Sequence, residues 1–258
     1  MGNYLVTGAL GGMGTAICKL LRQEGHRVWG LDISEAEGVI ETDITDACSI
    51  HSAFERVRAE AGSLSGIVHA AGVYDLNSLV EMPEEDFMRD FRVNLMGMFR
   101  VNRMFLPLLE KSSRIVIISS ELAPLYPLPF TGVYAVTKTA VEKYAAALNM
   151  ELQLLGHKVA VIRPGAVNTG MLAASTRKLD AFCETTRLYR LNAARFKRVV
   201  DRVEAKNVPP EKIALTVNRA LSARRPRLVY NVNRNPLLLL LNALPKRMQL
   251  AIIKMILK

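Results

Sequence analysis

The chain has 258 residues, half of them apolar, with a formal net charge of +10. That is enough for one large α/β domain with a sizeable core, and it excludes extensive disorder. Three widely spaced cysteines (Cys18, Cys48, Cys183) and four scattered histidines exclude a disulfide framework and a metal cluster, so no metal is expected and a reducing compartment is.

The first element is the run "NYLVTG", β-branched and apolar, which reads as a buried strand. It leads into "TGALGGMG", with Gly8, Gly12 and Gly14 at fixed spacing, and then into the helical pattern "MGTAICKLLRQEG". Glycine is needed there for a tight turn, for close approach to a pyrophosphate and for helix–strand packing. The helix N-terminus then offers free N–H groups to phosphate. A second strand, "RVWGLD", ends in Asp32, about 20 residues beyond the loop, where a carboxylate can hold both ribose hydroxyls of adenosine and repel a 2′-phosphate. Ile33 follows it, and Gly11 rather than a base precedes Gly12, so NAD is favoured over NADP.

The alternation continues through a helix in "DACSIHSAFERVRAEAG", a strand in "GIVHAAG" and one long helix from Glu84 to Glu110. A strand "RIVIISS", a helix from Tyr134 to Gly156 and a strand "KVAVIRPG" follow. Such alternation predicts a parallel sheet with crossover helices: a single doubly wound, Rossmann-like α/β domain over 1–258, with helices on both faces and extra helices at the C-terminus. His26 and His157 each follow a helix-ending glycine and read as solvated caps. From Met171 to Pro210 the pattern becomes irregular, Arg-rich and helical, a candidate substrate-specificity segment. A helix from Pro210, a strand "RLVYNV" and an apolar basic tail over 236–258 complete the chain.

Within "TGVYAVTKTA", Tyr134 and Lys138 stand one helical turn apart on one face. An ammonium beside a phenol favours the phenolate, so the pair can serve as an acid/base device near neutral pH. Seven tyrosines and twelve lysines in this length yield roughly 0.3 such pairs by chance, so the spacing alone decides nothing.

The loop, the strand order and the Tyr/Lys pair together resemble the short-chain dehydrogenase/reductase family over roughly Met1 to Leu172. "TGALGGMG" looks like that family's cofactor loop, which implies contacts from Gly8, Leu10, Gly11, Gly12, Met13 and Gly14. "TDIT" is similar to its adenine-pocket segment through Asp43 and Ile44. "HAAG" is similar to its fourth-strand motif, with His69 where asparagine is more common, and implies cofactor contacts from Ala70, Ala71 and Gly72. "RPGAVNT" matches the nicotinamide-side loop through Pro164, Gly165, Val167 and Thr169.

The resemblance implies a catalytic tetrad of Asn94, Ser120, Tyr134 and Lys138, with Tyr134 and Lys138 also binding the cofactor. Tyr134 would move the proton, Lys138 would lower the phenol pKa and hold the nicotinamide ribose, Ser120 would stabilise the substrate oxygen, and Asn94 would hold a water leading from Lys138 to solvent. Ser120 lies one residue further from the tyrosine than is usual, and Ser119 stays open as its alternative, since strand alternation lets only one of the two face the site. The expected activity is NAD-dependent interconversion of a secondary alcohol and a ketone, on a lipophilic substrate such as a steroid or bile acid. A fold-retaining, cofactor-binding regulatory protein with little turnover is the alternative. Tyr126 and Met171 are candidates for the pocket lining.

The basic excess is uneven: through Gly170 there are 15 Lys/Arg against 19 Asp/Glu, and from Met171 onward 19 against 5. No nucleic-acid motif accompanies it, so no nucleic-acid partner is expected, whereas anionic lipid or an acidic substrate fits. In "LPKRMQLAIIKMILK" a helix would place Arg247, Lys254 and Lys258 on one stripe, with Met248, Ile252, Met255 and Ile256 opposite. That apolar face must be covered by its own domain, by a second subunit in a homodimer or homotetramer, or by a membrane surface. With no signal-peptide pattern at the start, the expected location is cytoplasmic, with peripheral membrane contact open through the tail.

Overall fold

The computed structural model describes residues 1–258. Its strands are β1 (Asn3–Thr7), β2 (Arg27–Asp32), β3 (Val39–Glu41), β4 (Leu64–His69), β5 (Leu109–Ile118), β6 (Lys158–Pro164) and β7 (Val229–Val232). The α-helices are α1 (Gly12–Gln23), α2 (Ala47–Ala61), α3 (Glu84–Phe91), α4 (Met98–Phe105), α5 (Gly132–Leu152), α6 (Gly170–Thr185), α7 (Arg190–Glu204), α8 (Pro210–Ser222), α9 (Pro236–Ala243) and α10 (Lys246–Leu257).

All neighbouring strands are parallel, in the order β3-β2-β1-β4-β5-β6-β7. Alternate residues of each central strand face opposite layers, so Leu5 enters one core and Val6 the other. On one face α1 and α8 pack through Ile17, Leu21, Ile213 and Val217. On the other, α2, α4 and α5 pack through Ile50, Val57, Val101 and Val141. Burial on both faces is why the strands read as continuous apolar runs. Each fully buried Leu or Ile contributes about 1.5–3 kcal/mol to that sandwich. This is the expected doubly wound α/β sheet. Its order reverses between β1 and β4, and a crevice opens beyond the carboxyl ends of the strands at that point.

Two elements escape the periodicity. β3 has three residues, too few to show an alternation. The predicted long helix from Glu84 is interrupted by a π-helical turn, Arg92–Gly97, between α3 and α4. It then tightens into a 3₁₀ turn at Leu106–Leu108, where Pro107 cannot donate a backbone hydrogen bond, and Leu109 and Glu110 already belong to β5.

The Arg-rich segment forms α6 and α7, which enclose a third, smaller core of Leu179, Phe182, Phe196 and Val200 around Phe130 and Leu257. The tail helix α10 turns Gln249, Ile253 and Leu257 inward, while Met248, Met255 and Ile256 stay at least half exposed. Own-domain packing therefore uses a different stripe from the apolar face read in the sequence. Gln249 Nε2 donates to Leu244 O and Asn242 O at the end of α9, and Asn192 Nδ2 donates to Leu257 O at the end of α10. No helix is long and apolar enough to cross a membrane.

The histidine caps are corrected. His157 is buried with Nδ1 2.8 Å from Ser113 Oγ, and half-buried His26 accepts from Gly2 N while meeting the Tyr4 ring edge-on. Both are taken up in packing between the helix ends and the strands that follow.

Candidate active site

The glycine loop is built as a cradle. Gly8 has φ +67°, and a Cβ there would come within 2.6 Å of Ala71 N. At Gly14 a Cβ would lie 1.9 Å from Gly8 O, so any side chain would force the turn apart. Gly11 at the head of α1 supplies no side-chain cap, leaving the first-turn N–H groups of Gly12, Met13 and Gly14 to a ligand. Thr169 packs against Gly12, and Met13 and Thr169 line the same cleft. At the tip of β2, Asp32 Oδ2 accepts from Leu10 N at 2.8 Å and Oδ1 accepts from Ile33 N at 2.8 Å. Each oxygen keeps lone-pair capacity for a ribose hydroxyl. An uncapped helix N-terminus beside an oriented carboxylate suits a dinucleotide.

The remaining predicted cofactor residues divide. Ala70, Gly72, Pro164, Gly165 and Val167 line the cleft, whereas Ala71 and Ile44 pack behind it around a second, small cavity. Ile44 is buried against Gly97, while exposed Asp43 accepts from Thr45 N at 2.7 Å and so shapes the loop it stands in.

Ser120, at the end of β5, and Tyr134 and Lys138, on α5, meet in the cleft. Ser119 is engaged elsewhere, its hydroxyl donating to Glu142 Oε1 at 3.0 Å, a carboxylate also held by Arg163. Ser120 Oγ accepts from Leu122 N at 3.2 Å, which orients it. Lys138 Nζ lies 5.7 Å from the Tyr134 ring centroid and donates to Ile118 O at 3.1 Å. Burial pushes the Tyr134 phenol up to about 12, opposed by the Ser120 hydroxyl and reinforced by Glu121, and pushes Lys138 down to about 8. The expected lowering of the phenol by Lys138 is thus corrected for the free protein: desolvation dominates, and Tyr134 holds its proton at neutral pH.

Asn94 sits in the π turn, buried. Its Oδ1 accepts from Val73 N at 2.8 Å, and its Nδ2 donates to Val73 O at 3.0 Å and to Thr137 Oγ1 at 3.1 Å. The side chain is therefore a clamp between the loop after β4 and α5. Beside Asn94 and Lys138 lies the second cavity, of ≈ 10 Å³, the size of about one water. His69 Nε2–H donates to Asn102 Oδ1 at 2.8 Å, and burial pushes its pKa down to about 4, so the ring is neutral.

The cleft encloses ≈ 160 Å³, and 17 of its 27 lining residues are apolar, which suits an apolar ligand. Met171 is among them, but Tyr126 is not: it lies at the surface with Lys246 Nζ 4.2 Å from its ring centroid. Three groups escaped the sequence reading. Tyr74 packs its ring 4.4 Å from that of Tyr134. Glu121 and Glu204 bring carboxyl groups to an otherwise apolar wall. Glu204 lies four residues beyond Val200 and eight beyond Phe196, so its place on the apolar face of α7 was the readable signal.

Phe130, just before α5, has φ +65°, costly for a bulky side chain. Its ring is held 5.0 Å from Phe182 and 5.4 Å from Phe196, so α6 and α7 are packed onto the segment that leads to Tyr134. Asp75, bonded by Arg89 and by Lys178 of α6, ties α6 to the loop after β4.

A model of the short chain dehydrogenases matches residues 3–180. A 3-ketodihydrosphingosine reductase of Bacteroides thetaiotaomicron is 25% identical over 228 residues, covering 86% of this chain and 84% of that protein. Retinol dehydrogenase 16 of Mus musculus is 33% identical over 186 residues, covering 66% of this chain and 58% of that one. Among solved structures, a short-chain dehydrogenase/reductase from Burkholderia phymatum in complex with NAD superposes with a TM-score of 0.76 at 22% identity, covering 88% of each chain.

Proposed function

Because this chain belongs to the short-chain dehydrogenase family, we propose that it is an NAD-dependent oxidoreductase interconverting a lipophilic secondary alcohol and its ketone. The observation that carries this reading is the convergence of Ser120, Tyr134 and Lys138 at one end of a mostly apolar cleft next to the glycine loop. The glycine loop and Asp32 would hold a nicotinamide dinucleotide, which would supply the hydride. In the reducing direction Tyr134 gives its proton to the carbonyl oxygen, consistent with a phenol that is protonated at neutral pH in the free protein. Ser120 donates to the same oxygen as charge develops there. Lys138, buried, would hold the nicotinamide ribose and help stabilise the phenolate left behind.

The relatives named for 3-ketodihydrosphingosine and retinol support a lipophilic rather than a sugar substrate. A panel of steroid, bile acid, retinoid and long-chain alkyl ketones, set against polyols and assayed with NADH, is expected to give turnover on the lipophilic members. Turnover confined to polyols would overturn that assignment.

The reading extends to a lipid surface. α9 carries the run "PLLLLL" with no buried residue; Leu237 and Leu240 are 69% and 65% exposed, while Leu238 lines the cleft. An apolar helix at a pocket mouth, in the most basic third of the chain, fits shallow insertion into anionic lipid. Co-sedimentation with phosphatidylserine vesicles is expected at low salt and to weaken for Leu237→Ser/Leu240→Ser. No binding by the intact protein, or a shift to a smaller native mass in the double variant without loss of binding, would assign this face to a subunit contact instead.

A further inference from the structure

Asp90, in the last turn of α3, is fully buried, and neither of its carboxyl oxygens has a hydrogen-bond donor. An ionised carboxylate placed so is costly, whereas a neutral carboxyl needs only an acceptor for its proton. Asp75 supplies that acceptor. Arg89 Nη2 is bonded to Asp75 Oδ2 and stands 3.7 Å from Asp90 Oδ1, so the two acids meet at one guanidinium nitrogen, with Asp75 in hydrogen-bond reach of Asp90. The other charges facing the pair are Asp86, which shares Arg89, and Lys178 of α6, which is bonded to Asp75 Oδ1. α5 also packs on α3, but its Lys138 is committed to Ile118 O and its Glu142 to Arg163. What this cluster holds is the loop after β4. Val73 is clamped through both backbone groups by Asn94, on the turn that follows Asp90, and Asp75 is held by Arg89 and Lys178. Between the two anchors, Tyr74 packs its ring 4.4 Å from that of Tyr134.

We propose that Asp90 is a positioning residue acting through this loop: as the neutral acid it donates to Asp75 and locks residues 73–75, so that Tyr74 holds the Tyr134 ring, and as the carboxylate it repels Asp75 and releases them. This deepens the reading of Tyr134 as the proton donor and rests on it. Two carboxyl groups on one guanidinium share a single proton because like charges this close in a buried site disfavour double ionisation. Burial first, and then the Asp75 carboxylate, push Asp90 up to about 7, opposed by Arg89 and Lys178. An acid raised on folding from 3.8 contributes stability that is full below pH 3.8 and is lost as the pH rises to about 7, so the lock is closed on the acid side of neutrality. Lys178 carries the same change to α6, whose Met171 and Leu172 line the cleft.

The test follows reduction of a long-chain alkyl ketone by NADH in the intact wild type and in Asp90→Asn, whose amide donates to Asp75 at every pH. Between about pH 6 and about pH 8 the neutral fraction of a group titrating near 7 falls from about nine-tenths to about one-tenth. The kcat of the wild type relative to Asp90→Asn should therefore fall about five- to tenfold over that interval, with KM for NADH unchanged. Lys138, pushed down to about 8, is common to both proteins, so the ratio isolates Asp90. Asp90→Ala, which has no donor, should stay at the low level at both ends of the interval. The Val73 amide, held by Asn94 Oδ1, reads the lock without turnover: its hydrogen-exchange protection should drop across the interval in the wild type and hold in Asp90→Asn. A pH profile shared by wild type and Asp90→Asn, or a wild-type Val73 protection that ignores pH, overturns the proposal, and ketone turnover in that case leaves the dehydrogenase reading intact. A pH-dependent Val73 protection abolished by Asp90→Asn, with no ketone turned over, would keep the lock and overturn the dehydrogenase reading.

Discussion

Tyr134→Phe is expected to lower kcat by about 10²-fold or more while leaving NAD affinity nearly unchanged. The substitution removes one oxygen, the atom proposed to give or take the proton, and keeps the ring that packs against Tyr74. It leaves the glycine loop and Asp32, the proposed cofactor cradle, unchanged. Lys138→Ala should behave differently, since it deletes a buried ammonium proposed to serve both the phenol and the nicotinamide ribose: KM for the cofactor should rise as kcat falls. Stopped-flow measurement of hydride transfer alongside NADH fluorescence titration separates the two variants. If the Phe variant retained more than about a tenth of wild-type turnover, the proton would have to travel by another group.

NAD should be used with a kcat/KM about 30- to 1,000-fold above that for NADP. A 2′-phosphate would stand beside the Asp32 carboxylate, held in place by Leu10 N and Ile33 N. Two like charges about 4 Å apart repel by ~4 kcal/mol at an effective dielectric of 20, and partial exposure of Asp32 lowers that to about 2 kcal/mol at the weak end. Asp32→Asn keeps an acceptor for the loop but removes the charge, so it should narrow the ratio at least tenfold, chiefly by improving NADP. Equal use of the two cofactors by the wild type would show that the carboxylate does not govern the choice.

The features legible in the sequence were those set by backbone needs and by burial on both sheet faces. Continuous apolar runs marked the central strands, and Gly8 and Gly14 announced positions where a side chain would collide with Ala71 or with the loop itself. The Tyr134/Lys138 pair could be read because helical spacing brings both to the cleft. What stayed hidden depends on contacts distant in sequence. Tyr74 reaches Tyr134 across 60 positions, and Glu121 finds Asn235 N at 2.7 Å only because β7 returns beside β6. The sign of the phenol shift was misread for the same reason: spacing revealed the neighbouring ammonium but not the depth at which the pair is buried.

The π turn at Arg92–Gly97 bears on what deletions this chain can tolerate. A π turn accommodates one residue more than an α-helical path between the same ends. Removing one residue from it would restore a regular α-helical path between the same ends, so α3 and α4 would keep their faces toward the sheet. Met98, Val101 and Phe105 would stay in the core, and what such a deletion would disturb is the grip of Asn94 on Val73. A single-codon deletion inside α3 or α4 has no extra residue to absorb it and would rotate a whole helical face by about 100° away from the sheet. Length should therefore be constrained more tightly in α3 and α4 than in the π turn between them, and a deletion scan across residues 84–105 should find folding lost in the two helices and kept at residues 92–97.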